Sequence, residues 1–299
     1  MNLIILFSGQ GLQRQAYIDE MLGYMSSDAQ AHLKSVVPDL FFEDAPLFDN
    51  QIAQPFIYTL QYYRWQHLQR LVGMPMAFAG YSLGEVSAFC CSAQLSYSDG
   101  LSLVAKRANL MQAAVTEAAG LLAVKGVPDS QLDTLLTKSQ THLSIKISRD
   151  QFIIAGKDAQ LAHAADIAKN LGAQNVQRLS VSVPSHTPIM QTAATAFASY
   201  TETLSIPKMD TPIISASEGT KYSDNQQGLR ILAQQIDHPL DWHLCLETIE
   251  EYQPSMVIEI GPGSALANML AKVLPHVPCR SWDDFQNLDG LSAWIERNR

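Results

Sequence analysis

The chain has 299 residues, 47% of them hydrophobic and 16% charged, with a formal net charge of −9, which is enough apolar material for one large domain or two unequal ones. The acidic balance, with no basic cluster longer than Lys106-Arg107, excludes a nucleic-acid partner. No 18-residue apolar span occurs and the N-terminus, MNLIILFSGQ, has no basic flank and too short an apolar run for a secretory signal, so the expectation is a cytoplasmic protein with no membrane partner.

In chain order, Leu3 to Phe7 reads as a short buried strand running into a glycine-rich loop, SGQGLQ. Helical spacing of apolar residues predicts a helix over 52–72. An apolar run ending at Ala79 then reads as a second strand, followed at once by GYSLGE and an amphipathic helix. A further helix follows over 95–116, capped near Ser96, so that Arg107 falls inside it. From Gly120 the pattern changes to strand, helix, strand, strand, helix, strand, ending in VQRLSVSV; this β-α-β-β-α-β order is that of a ferredoxin-like unit. Beyond it, PSHTPIMQTAATAFASYTETL reads as a helix and TPIISA as a strand. GLRILAQQI and HLCLETIEEY read as helices, SMVIEIGP as a strand entering another glycine loop, and a short helix closes the chain. The fold class expected is α/β, with a mostly parallel sheet built from residues 1–117 and 190–299 and interrupted by a small α+β subdomain over 118–189. The seam between the two is a natural cleft.

Ser82 stands in a Gly-X-Ser-X-Gly frame between strand and helix, the layout of a nucleophile elbow, where main-chain N–H groups of the helix start can hold an oxyanion. On the residues alone, a catalytic serine and an ordinary turn both fit. A serine nucleophile needs a base, and of eight histidines His186 is placed where the last strand of the small unit returns to the main sheet, overhanging the cleft; the alternative is a turn histidine in solvent. Arg107 suits bidentate capture of a substrate carboxylate, or equally a side chain snorkelling to water. The loop at Gln10 lies where open α/β sheets place ligands, while GPGSALANML reads as structural punctuation. The four cysteines, Cys90, Cys91, Cys245 and Cys279, lack metal spacing and read as free thiols. With no Gly-X-Gly-X-X-Gly, Walker loop or His-Glu-X-X-His, no metal or nucleotide-fold cofactor is signalled, and acyl transfer or hydrolysis remains.

Six segments in order, SGQGLQ, GYSLGE, RANLMQ with its arginine 25 residues beyond the serine, VSVPSH, QIDHPLDW and EIGPG, together resemble malonyl-CoA:acyl carrier protein transacylases over nearly the whole chain. The resemblance implies an α/β-hydrolase-like domain carrying a ferredoxin-like insert. It implies Ser82 as the acylated nucleophile, His186 as its base, and the main-chain carbonyl of Gln235 as the group that orients His186. Leu83 and Gln10 would supply oxyanion N–H groups, and Arg107 would pair with the malonyl carboxylate, with Tyr81 and Gln10 also lining the substrate site. The implied partners are malonyl-CoA, as substrate, and an acyl carrier protein, with no cofactor. Tyr81 stands where the fatty-acid enzymes usually carry histidine, and Ile147-Ser148-Arg149 replaces an Asn-rich stretch. This Gly-Tyr-Ser elbow is more similar to the transacylase (epsilon-type) subunit of bacterial malonate decarboxylase, which would make that system's carrier subunit the acceptor. The alternatives are the fatty-acid-synthesis transacylase and a serine thioesterase or esterase.

Overall fold

The computed structural model describes residues 2–299. Its larger sheet is centred on β1 (Leu3–Phe7), all five residues of which are buried. Helices α1 (Ala16–Tyr24), α2 (Ser27–Val36) and α3 (Asn50–Val72) follow before β2 (Ala77–Gly80), α4 (Leu83–Ser92) and α5 (Tyr97–Ala113). Later in the chain come α8 (Gln191–Thr201), β7 (Ile213–Ile214), β8 (Lys221–Tyr222), α9 (Asn225–Gln234), β9 (Leu240–Asp241), α10 (Trp242–Glu251), β10 (Met256–Glu259), α11 (Ala265–Val273), β11 (Cys279–Ser281) and α12 (Leu288–Arg297). The strand order is β11-β10-β1-β2-β7-β8, parallel throughout except for the antiparallel β7–β8 edge.

Because β1 lies between β10 and β2, with Leu6 level with Glu259 on one side and Ala79 on the other, the loops leaving the carboxyl ends of these three strands emerge side by side. These are the Gln10 loop, the Ser82 elbow and the 261–263 glycine loop. The alternation of β1 sends Leu3, Ile5 and Phe7 into a core shared with α3, α4 and α5, and Ile4 and Leu6 into one on the opposite face with α10 and α11.

The second sheet comprises β3 (Ala119–Lys125), β4 (His142–Ser148), β5 (Gln151–Lys157) and β6 (Asn175–Arg178), with α6 (Asp129–Ser139) and α7 (Asp158–Asn170) covering one face. Its order, β6-β3-β5-β4, is that of a ferredoxin-like unit, and β9 adds a fifth strand parallel to β4. The opposite face, through Leu121, Ile145, Ile153 and Ala155, joins the core formed by Ile4 and Leu6.

Three sequence expectations need correction. The strand read through Val183 ends at Arg178; β3 runs on to Ala119 beside it, but beyond the Leu179 N–H bond to Leu121 O at 3.0 Å the ladder stops and the chain leaves the sheet. The helix read from Pro184 begins only at Gln191, after a short 3-10 turn over Pro188–Met190; the residues before it form the loop that carries His186. The strand read over 211–216 is confined to Ile213–Ile214. Cys90, Cys91 and Cys245 are buried free thiols as read, whereas Cys279 is only half-buried.

Candidate active site

Ser82 joins β2 to α4 with φ 56° and ψ −114°, a left-handed conformation that costs a non-glycine residue about 1–3 kcal/mol and is held by its surroundings. Those surroundings are tight. Tyr81 N–H donates to Phe7 O at 2.9 Å, and a Cβ on Gly84 would lie only 1.9 Å from the same oxygen, so the helix can approach β1 only with glycine there. A Cβ on Gly9 would likewise fall 2.7 Å from Tyr81 O, which puts the Gln10 loop directly against the elbow. Leu83 is the first residue of α4, whose opening N–H groups lie outside the intrahelical ladder.

Ser82 Oγ lies 2.7 Å from His186 Nε2, although the two residues are 104 positions apart. The ring is 1% exposed. Its Nδ1 is bonded to the main-chain oxygen of Gln235; a carbonyl only accepts, so Nδ1 carries the proton and Nε2 is free to accept from Ser82. The loop bearing His186 is itself in a left-handed conformation (φ 63°). It is pinned by His186 N–H to Ile236 O at 2.9 Å and by the buried Ser144 Oγ of β4 donating to Ser185 O at 2.9 Å. Burial first, and the nearby charge of Arg107 second, bring the His186 pKa down to about 3, so the imidazole is neutral at physiological pH with Nε2 open to a proton.

Arg107, on α5, is fully buried and so does not snorkel to water. Nη1 donates to Gln54 Oε1 at 2.7 Å and Nη2 to Gln235 Oε1 at 3.3 Å, while Nε is buried without a partner. Burial lowers its pKa to about 10, which leaves it cationic near neutrality. Gln235 therefore serves two groups, the imidazole through its main chain and the guanidinium through its side chain. Tyr81 packs edge-on against Trp242 with ring centroids 5.2 Å apart, at the floor of the elbow. Gln10 reaches Asn50 Oδ1 at 3.5 Å through Nε2.

Sequence reasoning singled out Ser82, Leu83, His186, Gln235, Arg107, Gln10 and Tyr81, and the fold gathers their elements at one edge of the large sheet. It missed Gln54 and Glu85. Glu85 sits inside GYSLGE but reads as an exposed first-turn acid; in the structure it is buried and accepts from Tyr222 Oη at 3.3 Å, Ala216 N–H at 3.4 Å and Gln235 Nε2 at 3.3 Å. Burial raises its pKa to about 8. Glu259 was missed too. It accepts from Ser8 Oγ at 2.6 Å and from the N–H of Ala267 at 2.7 Å, anchoring the loop that carries Gln10 to the start of α11. Gln61 adds to that anchor by donating to both Ser8 O and Gly261 O at 2.7 Å, so the glycine loop at 261–263 braces the site. Among the described residues no cluster of His, Cys, Asp and Glu is placed to hold a metal ion, and no helix is long and apolar enough to cross a membrane.

A serine strained at a strand-to-helix turn, bonded to a neutral histidine whose Nδ1–H is taken up by a main-chain carbonyl, has the arrangement that serine acyl transfer needs. The chain belongs to the acyl transferase domain family, which it matches over residues 5–281, and it is an acyltransferase. It is 29% identical over 229 residues to the malonyl CoA-acyl carrier protein transacylase of Haemophilus influenzae, covering 74% of this chain and 72% of that one. To the enzyme of the same name from Bacillus subtilis it is 28% identical over 312 aligned positions, covering 99% and 78%. Among solved structures, the malonyl CoA-acyl carrier protein transacylase of Clostridium perfringens superposes with a TM-score of 0.84 at 27% identity, covering 99% of this chain and 98% of that one. A malonyl-transacylase solved in complex with a type II PKS acyl-carrier protein shares the fold, with a TM-score of 0.88 at 23% identity over 99% of this chain and 100% of that one.

Proposed function

We propose that the protein transfers a malonyl group from malonyl-CoA to the thiol of an acyl carrier protein through a malonyl ester on Ser82. The observation that carries this reading is the 2.7 Å Ser82–His186 contact in a site that also holds a buried guanidinium with no carboxylate partner among the described residues. A nucleophile alone fits many acyl groups; the cationic receptor selects one with a free distal carboxylate.

In the proposed sequence, His186 Nε2 takes the Ser82 hydroxyl proton as Oγ attacks the thioester carbonyl, and the N–H groups of Leu83 and Gln10 face the developing oxyanion. Collapse expels the CoA thiolate, which takes the proton from His186. The carrier thiol then gives its proton to His186 and attacks the ester, restoring Ser82. Arg107 holds the malonyl carboxylate throughout, with Tyr81 shaping the pocket floor. Malonyl-CoA is a substrate here, and the sequence of steps uses no resident cofactor. Residues 118–189 act in this reading as a small unit roofing the cleft, and the enzyme works in the cytoplasm.

The fatty-acid-synthesis setting has more support than malonate decarboxylase, since the relatives described above carry the name of the general transacylase. The decarboxylase reading rests on Tyr81 in the Gly-Tyr-Ser elbow. The test is to incubate the protein with labelled malonyl-CoA, follow adduct mass on the Ser82 peptide, and then add each type of carrier. The expected result is a stable malonyl adduct that moves to the carrier. Rapid release of free malonate would make the protein a hydrolase, and no adduct would overturn the reading.

A further inference from the structure

Arg107 is gripped only by neutral groups. Among the described residues no carboxylate touches its guanidinium; the contacts are the amide oxygens of Gln54 at 2.7 Å and Gln235 at 3.3 Å. Each amide is locked with its oxygen toward the arginine by what lies at its other end. Gln54 Nε2 donates to Asn50 Oδ1 at 2.6 Å, and Asn50 Nδ2 donates in turn to the main-chain oxygen of Ala108, the residue after Arg107, at 2.9 Å. Gln235 Nε2 donates to Glu85 Oε2 at 3.3 Å. A flip of either amide would turn an NH2 group against the guanidinium, and at Gln54 it would also leave a buried amide oxygen facing the Asn50 acceptor.

The acid at position 85 thus sits one amide away from Arg107, near enough to orient Gln235 and too far to pair with the guanidinium. Of the five N–H donors on the fork, two are held internally, and the buried, unpartnered Nε is among the rest. Burial also pushes Glu85 up to about 8, so at neutral pH it contributes little negative charge to the pocket.

We propose that Gln54, with the Gln235–Glu85 pair on the opposite side, is a specificity-positioning residue that aims the Arg107 fork without neutralising it, reserving its charge for acyl groups bearing a distal carboxylate. The proposal rests on the malonyl-transfer reading and adds what makes Arg107 a receptor and not half of an internal ion pair. A carboxylate at position 54 would occupy the place of the amide oxygen now 2.7 Å from Nη1 and compete with the substrate. An apolar side chain of similar volume would leave the fork unaimed.

The experiment measures Ser82 acylation by intact-protein mass spectrometry with malonyl-CoA and acetyl-CoA, for the wild type and for Gln54→Glu, Gln54→Met and Glu85→Leu, each checked for cooperative melting. The expected result is a malonyl-to-acetyl ratio lowered about 100-fold or more in Gln54→Glu and about tenfold in the other two, since a site built to bond a polar group discriminates by such factors. A merely structural role would depress both acyl groups in proportion and leave the ratio alone. A wild type that loads malonyl selectively, with folded variants whose ratio stays within about twofold of it, overturns the role of Gln54 and Glu85 only. If Gln54→Glu does not fold, the ratio in the other two variants decides. A wild type that forms no malonyl adduct overturns the malonyl-transfer reading itself.

Discussion

Replacing Arg107 with alanine tests the receptor and the base at once. The guanidinium is fully buried, so an acyl group lacking a distal carboxylate leaves it unpaired, whereas malonyl satisfies it. Removing one member of a buried, hydrogen-bonded charge pair costs about 3–5 kcal/mol, equivalent to a fall of about 10²- to 10⁴-fold in kcat/KM for malonyl-CoA. Acetyl-CoA gains by losing its unpaired neighbour, so the malonyl-to-acetyl ratio should collapse toward unity. The second consequence is electrostatic. Arg107 is the second cause, after burial, of a His186 pKa near 3, and its removal raises that value. Only neutral imidazole accepts the Ser82 proton, so a higher pKa extinguishes activity at a higher pH. The assay is steady-state transfer to carrier protein from either thioester between pH 4 and 8. The wild type should show no acid limb near the ordinary histidine value, and the variant should show one moved upward. An unchanged acyl ratio would remove Arg107 as the receptor; a collapsed ratio with an unmoved acid limb would refute the coupling between Arg107 and His186.

Glu85→Gln should change the pH dependence of stability. The native carboxyl titrates at about 8 and the unfolded one near 4.5, so the folded chain holds the extra proton between these values and loses stability as pH rises through them. The glutamine variant lacks that loss and should gain about 3–5 kcal/mol relative to wild type between pH 5 and 9 in urea titrations; parallel curves would contradict the burial argument. Gly84→Ala places a Cβ 1.9 Å from Phe7 O at the crossing of α4 and β1, and should yield little native protein and no acylation of Ser82. A soluble variant with wild-type melting would show that the elbow can be opened without loss.

The sequence by itself determined the order of most strands and helices, the ferredoxin-like run after Gly120 and the place of the elbow, because these are written in local spacing: the period of apolar residues, and a glycine two positions to either side of Ser82. It also offered His186, Gln235 and Arg107 as partners once six segments were seen in order. Local pattern could not supply the lengths of VQRLSVSV and TPIISA as strands, which are set by where hydrogen bonding to strands distant in sequence stops. Nor could it find Gln54 and Glu85, since their meaning lies in what they face: Gln54 looks like any polar residue in a long helix, and Glu85 like a solvated first-turn acid. Only the tertiary structure brings α3, α4, α5 and the loop after α9 against one another, and burial there turns two amides and an acid into the setting of a single guanidinium. Periodicity is a property of neighbours along the chain, whereas the charge state of Arg107 and the basicity of His186 are set by groups distant in sequence that exclude water together.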